Sequence, residues 1–222
     1  MSESQQKSGN KLVLLGDSGV GKTCLISRFV YDQFDVEEKT TGASYANKMI
    51  EYPDLKKNLV LDIWDTAGQE KYRSLTKFFY KDALMIIFVY DITRRESYEN
   101  LKNIWYKEAK ENMDPNAILG IAGNKCDLYD NEAVPETEAR EFAKSINALF
   151  TLTSAQNKQG VEDLFKNIGY KFLNPNFQQK VDNKPNNPTI SLDKNDHIDN
   201  PQNPEKRKRK DFVEYLITFF VN

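Results

Sequence analysis

The sequence predicts an α/β fold built on a doubly wound, mostly parallel sheet. Short apolar runs alternate along the chain with segments of helical periodicity, which is the pattern of strand–helix–strand units. The run 84–90 is apolar throughout, as expected for a central parallel strand that is covered on both faces. Ligands of such folds bind beyond the carboxyl ends of the strands. The polar motifs of this chain follow predicted strands.

The elements are assigned in chain order from their periodicity and punctuation. We expect strands over 11–15, 45–52, 58–64, 84–90, 117–123 and 149–153, and helices over 22–31, 97–112, 135–147 and 161–173, with a short helix within 65–80. The turn at Pro53 joins the second and third strands. Helix 97–112 places Tyr98, Leu101 and Trp105 on one face, and Pro135 falls in the first turn of its helix.

Composition separates one domain from two flexible ends. The chain has 222 residues and a formal net charge of −2, so its bulk charge gives no reason to expect a nucleic-acid partner. Residues 10–173 form the predicted domain, 1–9 a flexible N-terminus, and 174–222 a tail that begins rich in Asn, Asp, Gln and Pro. The two cysteines, Cys24 and Cys126, each adjoin a motif residue, which favours a reducing, cytosolic compartment.

A glycine-rich stretch follows the first predicted strand and precedes the first predicted helix. Its residues match the phosphate-loop pattern: Gly16, Asp17, Ser18, Gly19, Val20, Gly21, Lys22 and Thr23. Glycines let backbone N–H groups approach phosphate oxygens, and the helix N-terminus adds favourable dipoles. Lys22 can reach the β- and γ-phosphates, and the Thr23 hydroxyl can bind Mg²⁺. The alternative is a chance glycine-rich turn.

A second motif follows the third strand. Asp65 can hold Mg²⁺. We expect a water molecule to bridge the carboxylate and the ion, because Mg²⁺ keeps several of its waters. The Gly68 N–H can donate to the γ-phosphate, and Gln69 can orient an attacking water. The alternative for Asp65 is a strand-ending acid that caps the next helix.

Two further motifs predict recognition of guanine. After the fifth strand, Asn124 and Asp127 can face one site, and Lys125 can lay its aliphatic stem over a ring. The Asp127 carboxylate can accept two hydrogen bonds from guanine N1–H and its amino group, a donor pair that adenine lacks. After the sixth strand come Ser154, Ala155 and Gln156, where the Ala155 N–H can donate to guanine O6.

These pieces, in this order and spacing, resemble small Ras-like GTPases, and within them the Rab family. The resemblance is carried by the runs 63–75, 78–80, 88–93 and 123–128, and it covers about 10–173. The nearest branch resembles the endosomal Rabs. A Ras-like G domain of the P-loop NTPase class is therefore implied.

The resemblance implies GTP or GDP with Mg²⁺ as ligands. Cys24 joins the nucleotide-binding loop, and Phe34 packs edge-on against guanine, its alternative being an ordinary apolar anchor. Loops 35–45 and 66–80 are the two switches. Effectors of Rabs read an aromatic triad, which here matches Tyr45, Trp64 and Phe79. The alternative for these three residues is core packing.

The implied activity is slow GTP hydrolysis that switches effector binding in vesicle trafficking. Lys22 and Gln69 carry the catalysis, and no arginine is obviously placed to act in cis. We expect a monomer that works with an exchange factor, a GTPase-activating protein and effectors, in the cytoplasm and peripherally on endosomal or other vesicle membranes. The alternative is a nucleotide-locked scaffold with impaired hydrolysis.

Three positions depart from the Rab pattern. The first switch is one residue short: aligned on Gly42 the Mg²⁺-binding threonine is Thr40, whereas counted from Phe34 it is Thr41, and we favour Thr40. Gln156 stands where lysine is usual.

The third departure is the tail. It has no cysteine to prenylate, but it carries a basic run, 206–210, and an apolar end, 211–222. Three interpretations of these segments stay open. They are a membrane-surface anchor, a solvated or import-like patch, and the product of a misread gene terminus that replaces a cysteine ending.

Overall fold

The computed structural model describes residues 9–34, 43–66 and 80–179. Six strands form one sheet: β1 (Asn10–Leu15), β2 (Ala43–Tyr52), β3 (Lys57–Thr66), β4 (Met85–Asp91), β5 (Ile118–Asn124) and β6 (Leu149–Thr153). Their order is β2-β3-β1-β4-β5-β6. β2 runs antiparallel to β3, and every other neighbouring pair is parallel.

The described helices connect these strands. They are α1 (Lys22–Tyr31), α2 over 95–112, α3 (Glu136–Ser145) and α4 (Val161–Leu173). α2 consists of three consecutive segments, Arg95–Asn100, Leu101–Trp105 and Tyr106–Asn112, and the middle one is a π-helical turn. There the Tyr106 N–H bonds to the Leu101 carbonyl, five residues back. Short 3₁₀ segments occupy Pro53–Leu55 and Cys126–Asn131.

The predicted doubly wound, mostly parallel sheet is confirmed, with differences at several boundaries. β6, α1 and α4 have their predicted limits, whereas β2 begins at Ala43 and α2 at Arg95. The helix predicted over 135–147 is shorter. Pro135 is its extended N-cap, and Asn147 adopts a left-handed φ of 54°, which a continuing helix does not accommodate.

Two apolar layers cover the sheet, because successive strand residues point to opposite faces. Leu12 and Leu14 of β1 pack in the layer beneath α1 and α4, while Val13 and Leu15 pack in the layer beneath α2 and α3. All seven residues of β4 are buried. Helices on both faces leave the carboxyl edge of the sheet as the place for a ligand.

The chain reverses direction across the sheet at β1. The connection through α1 leads to β2 and β3 on one side of β1, and the chain then passes to β4 on the other side. This switch point opens a crevice at the ends of β1 and β4. Within the three described ranges, no helix combines the length and apolarity needed to cross a bilayer.

Candidate nucleotide site

The glycine-rich loop follows β1 in a conformation that requires its glycines. Gly16 has a φ of 148°, and a Cβ there would lie 2.2 Å from the Val89 carbonyl oxygen on β4. Gly21 has a φ of 96° and forms the N-cap of α1, where no side chain caps the first turn. The uncapped N–H groups at this helix start are suited to bind an anion.

Lys22 lies inside the loop and is only 5% exposed. Its Nζ donates to the carbonyl oxygens of Gly16, at 2.8 Å, and of Asp17, at 2.9 Å. Burial lowers the pKa of the Lys22 ammonium to about 8, although the carboxylates of Asp65 and Asp17 partly oppose this shift. A phosphate group would supply the negative charge that such a cation lacks.

Thr23 and Asp65 meet next to the loop, from the start of α1 and the end of β3. The Thr23 hydroxyl donates to Asp65 Oδ2 at 2.6 Å, and Asp65 is 1% exposed. A hydroxyl and a carboxylate are oxygen ligands of the kind that Mg²⁺ prefers. This predicted pair therefore fits the ion.

Asn124, at the end of β5, ties the phosphate loop to β6. Its Nδ2 donates to the Val20 carbonyl at 2.8 Å, and its Oδ1 accepts from Thr153 Oγ1 at 3.2 Å. The side chain thus braces two parts of the crevice. Asp127, three residues on, is exposed, and no protein hydrogen bond to its carboxylate occurs in the described part of the chain. Its two oxygens remain available to a base.

Lys125 lies between these residues with a left-handed φ of 66°. Its Nζ pairs with Asp91 Oδ2 at 2.7 Å, and Asp91 Oδ1 accepts hydrogen bonds from Thr93 N–H and Oγ1. Burial would raise the pKa of Asp91, but the bonds from Lys125 and Thr93 outweigh it and hold the pKa below its usual value. Asp91 is therefore a charged anchor for Lys125.

The Ser154–Ala155–Gln156 loop closes the crevice beyond β6. Ser154 donates its N–H to the Gln159 carbonyl at 2.9 Å, and its Oγ accepts from Asn157 N–H at 3.1 Å. Ala155 is buried, and its N–H has no hydrogen-bond partner within the described ranges. Phe34, after α1, is 36% exposed and so can offer its ring to a base.

Comparisons with known proteins agree with this geometry. A model described as the Ras family matches residues 11–174. Ras-related protein Rab-22A of Homo sapiens is 46% identical over 160 residues, which cover 71% of this chain and 80% of that protein. Ras-related protein Rab-31 of Homo sapiens is 43% identical over 188 residues, covering 83% and 91% respectively. The chain belongs to the Ras family.

Within that family it is a Rab-like GTPase, as the sequence predicted. It binds guanine nucleotide, acts as a switch in vesicle trafficking, and works with exchange factors, activating proteins and effectors. A third relative is the putative ras-related protein Rab-5B of Dictyostelium discoideum, which is 42% identical over 160 residues, covering 72% of this chain and 73% of its own.

Some predicted residues of this Rab-like GTPase lie outside the described ranges. They are Thr40, its competitor Thr41, Gly68, Gln69 and Phe79, together with the tail from 180 onward. Cys24, adjoining Thr23, is a partly buried cysteine that packs against the core. Tyr45 and Trp64 face each other across β2 and β3, with ring centroids 5.5 Å apart, and the Tyr45 hydroxyl donates to Asp62 Oδ1 at 2.6 Å.

Three residues outside the predicted motifs contact the phosphate loop. Asp17 accepts hydrogen bonds from Asn100 Nδ2 and Trp105 Nε1 of α2, both at 2.8 Å. Arg94, just before α2, donates from Nη2 to the Ser18 carbonyl at 3.0 Å. The sequence places Trp105 only on the apolar face of a predicted helix, and nothing in that pattern indicates its bond to Asp17.

Two other missed residues border the base motifs, namely Arg28 of α1 and Asp91 of β4. Asp91 had a recognisable signal, because it is an acid at the end of a buried strand, as Asp65 is, and is aligned with Asn124 of β5. Arg28 had none. Besides Asp32, four positions on, its partners are backbone carbonyls 127 and 128 residues away.

Proposed function

We propose that this Rab-like GTPase holds GTP or GDP with Mg²⁺ in the crevice at the carboxyl edge of the sheet. The main support is the convergence there of a buried cation and a metal-binding pair. Lys22 reaches out of α1 beneath the loop, and Thr23 meets Asp65 at 2.6 Å beside it. When bound, Mg²⁺ would neutralise charge on the phosphate oxygens.

Guanine selection is assigned to the second half of the crevice. The carboxylate of Asp127 would accept hydrogen bonds from N1–H and the amino group of guanine, and the Ala155 N–H would donate to O6. The ring of Phe34 and the aliphatic stem of Lys125 would cover the base. A bound base would cover the Asp127 carboxylate, and a polar group left unmatched beneath it would cost about 1–3 kcal/mol. Adenine would leave Asp127 unmatched.

Hydrolysis is assigned to phosphoryl transfer from GTP to water. Lys22 and the loop N–H groups would stabilise charge on the transferred group, Gln69 would orient the water, and Thr40 and Gly68 would respond to the γ-phosphate as parts of the two switches. Without a partner protein, turnover is expected to be slow, on the order of 10⁻⁴ s⁻¹. We also propose a monomer, and peripheral attachment to endosomal or vesicle membranes through the tail.

The proposal is tested by single-turnover hydrolysis with purified full-length chain. We expect Mg²⁺-dependent binding of GDP and GTP, little binding of ADP, and slow release of phosphate. Gln69→Leu should lower hydrolysis at least tenfold while it leaves GTP affinity within about twofold, because Gln69 acts on the water. Unchanged hydrolysis in this variant would remove Gln69 from the mechanism.

The same measurements distinguish the hydrolysing switch from the nucleotide-locked scaffold. A scaffold would bind GDP without Mg²⁺ dependence and would hydrolyse GTP no faster than the Gln69→Leu variant. The Thr23–Asp65 pair favours the hydrolysing switch, since it presents oxygen ligands where the metal is needed.

A further inference from the structure

Arg28 lies on α1 between the two halves of the crevice. α1 begins with Lys22 at the phosphate loop, and Arg28 follows six positions later, about 9 Å along the helix axis. Its side chain is 11% exposed. The same helix therefore carries a phosphate-binding cation at its start and a nearly buried guanidinium near its end.

The guanidinium hydrogen-bonds to the backbone of the loop after β6. Nε donates to the Ala155 carbonyl at 2.8 Å, and Nη2 donates to the Gln156 carbonyl at 3.2 Å. Because the guanidinium is planar and rigid, two bonds from one fork fix the orientation of the two successive carbonyls. These bonds restrain the Ala155 backbone. Its N–H, which has no hydrogen-bond partner within the described ranges, therefore keeps a fixed orientation.

The other side of the guanidinium is anchored to the end of α1. Nη1 donates to the Asp32 carbonyl at 2.8 Å and to Asp32 Oδ1 at 3.2 Å. The Arg28 Cζ also lies 6.0 Å from the centre of the Phe34 ring, at the limit of a cation–π contact. Arg28 thus hydrogen-bonds to the Ala155 loop and lies near Phe34, the two groups that border the proposed base position.

We propose that Arg28 is a positioning residue for guanine recognition, which aims the Ala155 N–H at O6 of the base. This inference rests on the proposed guanine site. It differs from a purely structural role in one respect. A structural residue would affect all nucleotides equally, whereas Arg28 affects mainly those that carry an oxygen at position 6.

The experiment compares three diphosphates on the full-length chain. GDP carries both the amino group and O6, IDP lacks only the amino group, and thio-GDP has sulfur, a poorer acceptor, in place of O6. Dissociation constants are measured for the wild type, Arg28→Lys and Arg28→Gln. Arg28→Lys keeps the charge but loses the fork, and so guards against loss of folding in Arg28→Gln.

We expect both variants to bind GDP and IDP about tenfold more weakly, the equivalent of one hydrogen bond. Thio-GDP, which has already lost most of the O6 contact, should weaken less than threefold. Single-turnover hydrolysis at saturating GTP should stay within twofold of the wild type, because Arg28 is remote from the phosphates. Equal weakening of all three diphosphates, or of none, would overturn the proposal.

A matched control comes from a neighbouring ion pair. Lys158 Nζ, from the same loop region, pairs with Asp32 Oδ2 at 2.7 Å, but the two side chains are 57% and 66% exposed. Exposed pairs contribute little, so Lys158→Gln should leave all three dissociation constants within twofold. If the wild type itself fails to prefer GDP over ADP, the proposed guanine site fails. If it does prefer GDP but Arg28→Lys matches the Lys158→Gln control, only the role of Arg28 fails.

Discussion

Lys22 is the residue whose chemistry depends most on its surroundings. Its ammonium is nearly enclosed by the loop and bonds to two carbonyl oxygens, which carry no full charge. Burial is the main cause of its lowered pKa, and the two nearby carboxylates compensate only in part. Phosphate oxygens would add the missing charge, so the pKa of Lys22 must rise when nucleotide binds.

This coupling predicts a pH-dependent affinity. Since the pKa is about 8 in the free protein and higher in the complex, binding takes up a proton above pH 8. The affinity for GDP should therefore be constant below pH 7 and should fall as the pH rises through 8. Above pH 8 the fall should approach tenfold per pH unit. Calorimetric titrations at pH 8, in buffers that differ in ionisation enthalpy, measure the proton uptake directly.

Lys22→Arg supplies the control for this prediction. Arginine keeps its charge throughout the range, so the variant should bind more weakly but without proton uptake at pH 8. Proton uptake that persists in Lys22→Arg would assign the titration to another group. A wild-type affinity that is flat between pH 7 and 9 would show that Lys22 is fully charged before nucleotide binds.

At the residue scale, a local motif in the sequence indicates which side chains lie together. Lys22, Thr23 and Asp65 were predicted, and the structure brings them together. Arg28 and Arg94 could not be predicted in the same way. Each binds backbone carbonyls of a distant segment, and any residue offers such a carbonyl, so no sequence pattern marks the partner.

At the scale of elements, the unusual feature is the π turn in α2. Its side chains keep an ordinary helical apolar pattern, which is why the sequence predicted one regular helix. Extra residues in a helical turn change the directions of the side chains on either side. Here Asn100 precedes the turn and donates to Asp17 Oδ2, whereas Trp105 ends the turn and donates to Asp17 Oδ1.

We predict that Trp105 and Asp17 stabilise the fold as a coupled pair. Hydrogen bonds to a charged group contribute about 1.5–3 kcal/mol. Trp105→Phe removes the indole N–H and some packing, whereas the same substitution in an Asp17→Ala background removes packing alone. Each substitution of Trp105 changes the free energy of unfolding, measured with urea, and the two changes should differ by about 1.5–3 kcal/mol. A difference near zero would mean that Trp105 acts only through its burial.

At the scale of the whole molecule, α1 links the nucleotide site to the apolar layer that it shares with α4, and that layer also includes Val20 of the phosphate loop and Ala155 of the base loop. The site lies at the carboxyl edge of the sheet, and one of the main contacts of the core is the stacking of Phe29 on Phe165, whose ring centroids are 4.0 Å apart. Phe29 belongs to α1 and Phe165 to α4, and Phe165 is completely buried. The helix that binds phosphate at its start is thus held to the domain by packing near its end.

This arrangement predicts that core stability and nucleotide stabilisation add independently. Phe165→Ala should lower the free energy of unfolding by about 3–5 kcal/mol, the usual loss for a buried aromatic ring. GDP with Mg²⁺ at a thousand times its dissociation constant should raise that free energy by about 4 kcal/mol, in the variant as in the wild type, because distant sites behave additively. Urea unfolding of both proteins, with and without nucleotide, measures all four values. A nucleotide increment that shrinks in Phe165→Ala would show instead that the core contact of α1 also sets the geometry of the phosphate loop.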